Sequence, residues 1–203
     1  MTLRVIGGSA RGRRLKRVPG DTTRPIMDRV KEALFSILGQ SIIGAQFLDL
    51  YAGTGSVGIE ALSRGAAKAV FYDLERRAIQ TIRENLEVTR LAERGIVHQG
   101  DALALLRRPP QLAFDFIFIA PPQYKELWRK TLEALDANPL WLPAGTEVIV
   151  QIDPKEVTAC SFQHLVEYDQ RRYGNTLLWF FEAVEPASPS PPPEPAEEDH
   201  AES

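Results

Sequence analysis

The sequence predicts a doubly wound, Rossmann-like α/β domain, and three observations carry that reading. Short apolar runs alternate with helix-period segments from Gln46 onward. A glycine-rich turn, "YAGTGSVG", follows the first run, and acids stand at the ends of the first three strand segments, at Asp49, Asp73 and Asp101. Such alternation builds a parallel sheet with helices on both faces, whose ligand sits beyond the strand C-termini at the switch point. With 203 residues, 44% hydrophobic and 25% charged, the chain is expected to form one soluble domain of ordinary size.

The elements follow in order. An apolar piece at Leu3–Ile6, a Gly-Gly turn and a basic stretch at Gly12–Arg17 predict a small N-terminal hairpin. "MDRVKEALFSILG" puts Val30, Leu34, Ile37 and Leu38 at helical spacing, after Pro25 and before Gly39. Strands are expected at Gln46–Tyr51, Ala67–Tyr72, Gly95–His98, Phe114–Ile119 and Glu147–Ile152. Helices are expected at Val57–Arg64, Glu75–Arg90, Ala102–Arg107 and Lys125–Leu135, the long one with Ile79, Ile82, Leu86 and Thr89 on one face. Two extended stretches, Phe162–Asp169 and Thr176–Glu182, have no helix between them and predict an antiparallel hairpin at one sheet edge. The Pro-, Ser- and Glu-rich end has almost nothing to bury and is expected to be disordered. The partition is a basic hairpin at 1–22, the main domain at 23–183 and an acidic tail at 184–203.

Composition excludes several classes. A single cysteine, Cys160, rules out an internal disulfide and a cysteine-based zinc site, and its segment reads as a strand with the thiol as core filler. The three histidines are scattered, so no metal site is expected. No apolar run approaches a membrane span, and the basic N-terminus lacks the apolar core of a signal peptide, so a cytoplasmic protein is expected. The net charge of −3 hides an asymmetry: 1–185 carries 24 basic and 22 acidic residues, and 186–203 five acids with no Lys or Arg. Within 1–31, Arg4, Arg11, Arg13, Arg14, Lys16, Arg17, Arg24, Arg29 and Lys31 oppose only Asp21 and Asp28, a balance of +7. That segment fits a polyanion partner, with a solvated face as the bland alternative.

Gly53, Gly55 and Gly58 form a literal G-x-G-x-x-G, with Asp73 about 20 residues beyond Gly53, which fits a nicotinamide dinucleotide. Asp49 turns the choice. A carboxylate facing the turn repels a pyrophosphate but attracts the ammonium and sulfonium of S-adenosylmethionine. Asp101, after the third strand, is placed to accept from an adenine amino group. Each acid alone could be a helix cap or a surface turn; together they favour S-adenosylmethionine.

The blocks "LRVIGGSARGRRLK", "TRPIMDRVKEALFSIL", "LDLYAGTGSVGIEALSRGA", "AVFYDLERRAIQTIRENL", "GDA" and "YGNTLLWFF" are similar to a known family. From Leu3 to about Glu182 the chain resembles the bacterial 16S ribosomal RNA guanine-N2 methyltransferases of the RsmD type. The resemblance implies a seven-stranded methyltransferase sheet and methyl transfer to the exocyclic amine of a guanine in 16S ribosomal RNA, or in the assembling small subunit. It implies S-adenosylmethionine held by Asp49, Gly53 and Gly55 at its methionine end, Asp73 at the ribose and Asp101 at the adenine, with Tyr51 flanking the glycine turn or packing in the core. RNA contacts fall on Arg4, Arg11, Arg13, Arg14, Lys16, Arg24 and Arg29; Arg24 lies near either the cofactor carboxylate or the entering RNA. A monomer is expected.

One loop departs from that family. Where the pattern is Asp or Asn, Pro, Pro, then Phe or Tyr, this chain has Ala120, Pro121, Pro122 and Gln123, with Tyr124 one place late. The usual acid or amide and a backbone carbonyl accept the two amine hydrogens and stabilise positive charge on nitrogen, while the aromatic stacks on the extruded base. Here the Pro121 carbonyl remains, Gln123 is a candidate substitute acceptor and Tyr124 a candidate stacking ring. The alternatives are an active enzyme with an altered loop, or a non-catalytic S-adenosylmethionine- and RNA-binding assembly factor. Glu60 and Arg64 read as a surface pair, and Trp128, Trp141 and Trp179 as packing. Arg107, Arg108, Arg171 and Arg172 either touch phosphate or nothing.

Overall fold

The computed structural model describes residues 3–20 and 26–185, so the acidic tail from 186 and Arg24 lie outside the described residues. Seven strands, β1 (Gln46–Leu50), β2 (Lys68–Asp73), β3 (Gly95–Gln99), β4 (Phe116–Ile119), β5 (Glu147–Ile152), β6 (Leu165–Tyr173) and β7 (Thr176–Ala183), form one sheet in the order β3-β2-β1-β4-β5-β7-β6. The first five are parallel, and β7 runs antiparallel between β5 and β6. Helices α1 (Asp28–Leu38), α2 (Ser56–Ser63), α3 (Arg76–Thr89), α4 (Ala102–Leu106) and α5 (Leu127–Asp136) connect or flank the strands. The chain winds from β1 outward to β3 and returns to β4, so the switch point lies between β1 and β4.

The strands bury both faces, as a parallel sheet requires. Phe47, Phe71, Phe116, Phe118 and Phe180 pack with α1, α2 and α3, while Leu48, Leu50, Ile117, Val150 and Trp179 pack with α4 and α5. Trp128, Trp141 and Trp179 are all buried, as packing residues. Cys160 also packs against this second core, although it lies in a loop and not in a strand. The last hairpin starts later than expected, at Leu165, because the N–H groups of Gln163 and His164 donate to the Asp136 carboxylate at the end of α5.

Two sequence expectations need correction. Ile37 is exposed; α1 instead buries Val30, Lys31, Leu34, Phe35 and Leu38. A lysine on the inner face is tolerated because its ammonium reaches Glu60 Oε2 at 3.3 Å, the Arg4 carbonyl at 2.7 Å and Ser56 Oγ at 3.2 Å. Glu60, expected on the surface beside Arg64, is fully buried. Its carboxylate accepts from the N–H groups of Ile6 (2.9 Å) and Gly7 (2.7 Å) and from Arg64 Nε (2.8 Å), so the N-terminal segment covers it.

The N-terminal hairpin is therefore docked on the domain. Arg4 bridges Arg14 across it, and Leu15 N–H donates to the Leu3 carbonyl. Ser9 N–H and Ala10 N–H donate to the carbonyl and hydroxyl of Ser63, while Ser63 Oγ donates to the Gly7 carbonyl. A Cβ on Gly8 would lie 1.8 Å from the Ser63 carbonyl oxygen, so only glycine allows this approach. On the other side, the wholly buried Asn85 of α3 accepts from Lys16 N–H and donates to the carbonyls of Lys16 and Thr54.

Glu60→Ala should leave Lys31 buried and unpaired together with two backbone donors. The expected loss is on the order of 3–5 kcal/mol in urea unfolding. A change under about 1 kcal/mol would show that the buried carboxylate does not hold the hairpin in place.

Candidate active site

The site is built where β1 ends. Asp49 belongs to β1 and turns toward α2, 2% exposed. Its Oδ2 accepts from Gly58 N–H at 3.0 Å. Gly58 sits against the sheet, where a Cβ would lie 2.3 Å from Phe71 Cε1, so the absent side chain lets α2 bring its N–H down to the carboxylate. Burial raises the Asp49 pKa to about 8, against the lowering effect of the Gly58 bond and with a further rise from the Asp73 charge. Gly53 and Gly55 carry the turn at φ 54° and 72°. A side chain on Gly53 would meet nothing within 4 Å, so this face of the turn is open.

Asp73 closes β2, and its two oxygens accept from Gly53 N–H (2.8 Å) and Glu75 N–H (2.8 Å), tying the glycine turn to the start of α3. Asp101 caps α4: its Oδ1 accepts from Leu103 and Ala104 N–H. Both acids thus do the structural work that each alone could do, and the sheet order still brings them to neighbouring strand ends beside Asp49. The charges are felt across the cluster, since Asp101 adds to the burial that raises the Tyr51 pKa. Tyr51 is half-buried at φ 63°, and its hydroxyl shares a 2.7 Å hydrogen bond with Thr131 of α5.

Two features of this rim were missed in the sequence. Leu74, immediately after Asp73, is 64% exposed, an apolar surface beside the acids. The Tyr72 and His98 rings stack at 4.9 Å across β2 and β3. Leu74 reads as an ordinary strand-end residue until its exposure is known, and the stack depends on the β2–β3 register.

Three acids around an open turn, with no cationic side chain paired to Asp49 among the described residues, suit a ligand that brings its own positive charge. A pyrophosphate would meet the like charges of Asp73 and Asp101, whereas a cation beside Asp49 would also draw its raised pKa down and ionise it. The donor set therefore fits S-adenosylmethionine better than a dinucleotide.

The catalytic-loop candidates leave β4 next to this site. Ala120 N–H reaches the Leu50 carbonyl at 3.4 Å, and Pro121 is buried while Pro122 and Gln123 are exposed. Tyr124 is 67% exposed at φ 60°, but its ends are tied. Its N–H donates to Glu156 Oε2 (2.8 Å) and its hydroxyl to Asp153 Oδ2 (2.9 Å). Asp153 and Glu156 form a capping box just beyond β5, a motif that the sequence reading overlooked although D-P-K-E spells it.

The predicted RNA-facing cations are not equally available. Arg4 pairs with Asp28 (2.9 Å), Lys16 with Glu84 (2.8 Å), and Arg13 donates to the Val88 carbonyl (2.5 Å). Arg11, Arg14 and Arg29 are exposed, and Lys31 is withdrawn into the core. An open cleft of about 560 Å³ runs along the start of α3, lined by Glu75, Arg76, Arg77, Gln80, Arg83 and Gln99 among others. The Arg77 guanidinium lies 3.2 Å from where a Gly20 Cβ would stand, so Arg77 reaches the segment that follows the hairpin. Dispersed along an amphipathic helix, these arginines carry no motif by which the sequence could mark them.

Comparison with known proteins follows the same lines. The family model described as Conserved hypothetical protein 95 matches residues 3–182. The YlbH protein of Bacillus subtilis (strain 168) is 44% identical over 135 residues, 66% of this chain and 73% of that one. Ribosomal RNA small subunit methyltransferase D of Escherichia coli (strain K12) is 36% identical over 151 residues, 74% of each chain. The solved structure of Escherichia coli yhhF superposes with a TM-score of 0.77 at 32% identity, covering 90% of this chain and 98% of that one.

The buried Asp49 gives a pH-dependent expectation. Its folded pKa of about 8 lies above the ordinary 3.8, so the folded chain holds a proton that the unfolded chain releases. The stability this lends is complete below about pH 4 and is lost as pH rises to about 8. Asp49→Asn keeps an acceptor for Gly58 and removes the charge. Its Tm should match wild type near pH 4 and exceed it at pH 8.5, by on the order of 5–10 °C. Equal Tm values across that range would refute the burial cost.

Proposed function

This chain belongs to the family described as Conserved hypothetical protein 95, which it shares with the small-subunit ribosomal RNA methyltransferases D, and we propose that it methylates the exocyclic amine of a guanine in 16S ribosomal RNA. The observation that carries the reading is the buried, cation-seeking Asp49 beneath an open glycine turn at the sheet switch point. The proposed cofactor, S-adenosylmethionine, supplies when bound a methyl group made electrophilic by its sulfonium. Asp49 and the turn of Gly53 and Gly55 hold its methionine end, Asp73 the ribose, and Asp101 with the apolar Leu74 the adenine.

The chain's own residues do the rest by position and charge. The Pro-Pro pair has no N–H to draw the loop back onto the sheet, and the Pro121 carbonyl accepts one hydrogen of the base amine. Tyr51, fixed by Thr131, forms one wall beside the glycine turn. Arg11, Arg14 and Arg29, with Arg76, Arg77 and Arg83 on α3, take RNA phosphates, as does Arg24 from outside the described residues. The N-terminal hairpin at 1–22 is the RNA-facing part and 23–183 the methyltransferase domain; the protein acts as a cytoplasmic monomer on naked 16S RNA or the assembling subunit. Among the described residues no helix is long and apolar enough to cross a membrane.

Ala120 favours a second reading, a non-catalytic binder of S-adenosylmethionine and RNA that serves assembly. Transfer of labelled methyl from S-adenosylmethionine to unmodified small-subunit RNA and to partly assembled subunits separates the two. Wild type is expected to transfer, and Asp49→Ala to lose at least ~10²-fold. RNA affinity should fall steeply with salt, by a slope near −0.9 per phosphate contacted in helical regions. Binding of both ligands by wild type without transfer to either substrate would sink the enzyme reading in favour of the second.

A further inference from the structure

The loop lacks a side-chain acceptor at Ala120, and the polar group nearest in chain order that is held in place is the Tyr124 hydroxyl. We propose that Tyr124 Oη, oriented by Asp153, accepts the second hydrogen of the base amine and so replaces the missing acid or amide. The inference rests on the methyl-transfer reading above.

Four hydrogen bonds build the arrangement. Tyr124 Oη donates to Asp153 Oδ2 at 2.9 Å, and Tyr124 N–H donates to Glu156 Oε2 at 2.8 Å. Lys155 N–H donates to Asp153 Oδ1 at 2.9 Å, and Asp153 N–H reaches Glu156 Oε1 at 3.4 Å. The loop is therefore fastened to the end of β5 at both the backbone and the side chain of one residue. Tyr124 and Glu126 adopt φ of 60° and 52°, a conformation that ordinary side chains avoid and keep only where the surroundings over-determine it. The β4–β5 register, Ile119 beside Val150, sets the start of the Pro-Pro loop alongside the chain that leads to Asp153. Tyr124 is 67% exposed, so its phenol is accessible to a ligand while hydrogen-bonded to Asp153.

The chemistry follows from the direction of the hydrogen bond. A phenol that donates to a carboxylate gains electron density on its oxygen, which still has lone pairs to accept an amine N–H. Asp153 stays ionised, since the Lys155 N–H and the Tyr124 hydroxyl hold its pKa below the ordinary value. Positive charge growing on the amine nitrogen then meets an oxygen backed by a fixed negative charge. The hydroxyl keeps its proton toward Asp153 and forms no covalent bond, so Asp153 is a positioning residue and Tyr124 the group that touches the base. The reading differs from ring stacking, which needs the aromatic face alone.

Tyr124→Phe keeps the ring and removes the oxygen; Asp153→Asn keeps the cap acceptor and removes the charge. Both should lower kcat for methyl transfer by about 10–100-fold while the KM for RNA stays within about twofold. In an Ala120→Asp background the same two substitutions should cost less than about threefold, because the acceptor is restored at its usual place. Independently of activity, ¹³C-tyrosine NMR of the ligand-free chain should show the Tyr124 phenol titrating at lower pH in Asp153→Asn than in wild type. Wild-type rates in Tyr124→Phe would overturn the proposal in favour of stacking, and equal losses with and without Ala120→Asp would overturn the replacement role. If wild type itself transfers no methyl group, the reading of the function fails and this inference with it; losses confined to KM would instead sink the proposal alone.

Discussion

The buried Glu60 carboxylate is the interaction on which the rest of the structure depends. From α2 it pairs with Lys31 of α1 and with Arg64 just past its own helix, and it accepts from two N–H groups of the N-terminal segment. α2 is therefore tied both to α1 and to the N-terminal segment. That helix is also the one whose first turns present Gly58 N–H to Asp49. Burial of an ion pair adds little net stability by itself, but it penalises every arrangement in which the charges lose each other. Here it sets the register between hairpin, helix and glycine turn.

Asp49 shows what that scaffold is built to tolerate. A carboxylate pushed up to about 8 by burial opposes folding at neutral pH and above. A core selected for stability alone would place a neutral group there. The cost is sustained because the packing of α2 on Phe71, the Asp73 bridge to Gly53 and the Asn85 contacts to Lys16 and Thr54 hold the turn whether or not Asp49 is charged. Asp73 and Asp101 cap and tie backbone, so the ligand-directed role proposed for them adds to a structural one that each already fills.

The loop after β4 illustrates a different balance. Proline fixes the chain direction but supplies no donor, and the residue ahead of the prolines has no polar side chain. Order in the loop comes instead from the neighbouring strand, through the Asp153 and Glu156 caps. The polar groups that order this rim thus lie at the end of β5 and not at the end of β4. The basic surface is redistributed in a similar way: Lys31, Arg4, Arg13 and Lys16 serve internal contacts, while arginines of α3 face outward.

Periodicity and the glycine turn made the sheet, its helices and the antiparallel edge legible, because a two-residue or 3.6-residue repeat of apolar side chains is a local property of the chain. The cluster of Asp49, Asp73 and Asp101 was legible for the same reason, each acid lying at the end of a recognisable strand. The N-terminal blocks and the glycine turn likewise sufficed to place the chain in its family. Tertiary structure alone decided that Glu60 is buried, that Ile37 is not, and that Tyr124 is fastened to Asp153 and Glu156. Those outcomes depend on partners 29 to 54 residues away, or on a helix face chosen by a buried ion pair. A charge reads as exposed in sequence because its desolvation is unfavourable alone, and only the fold supplies the opposite charge and the N–H groups that offset it.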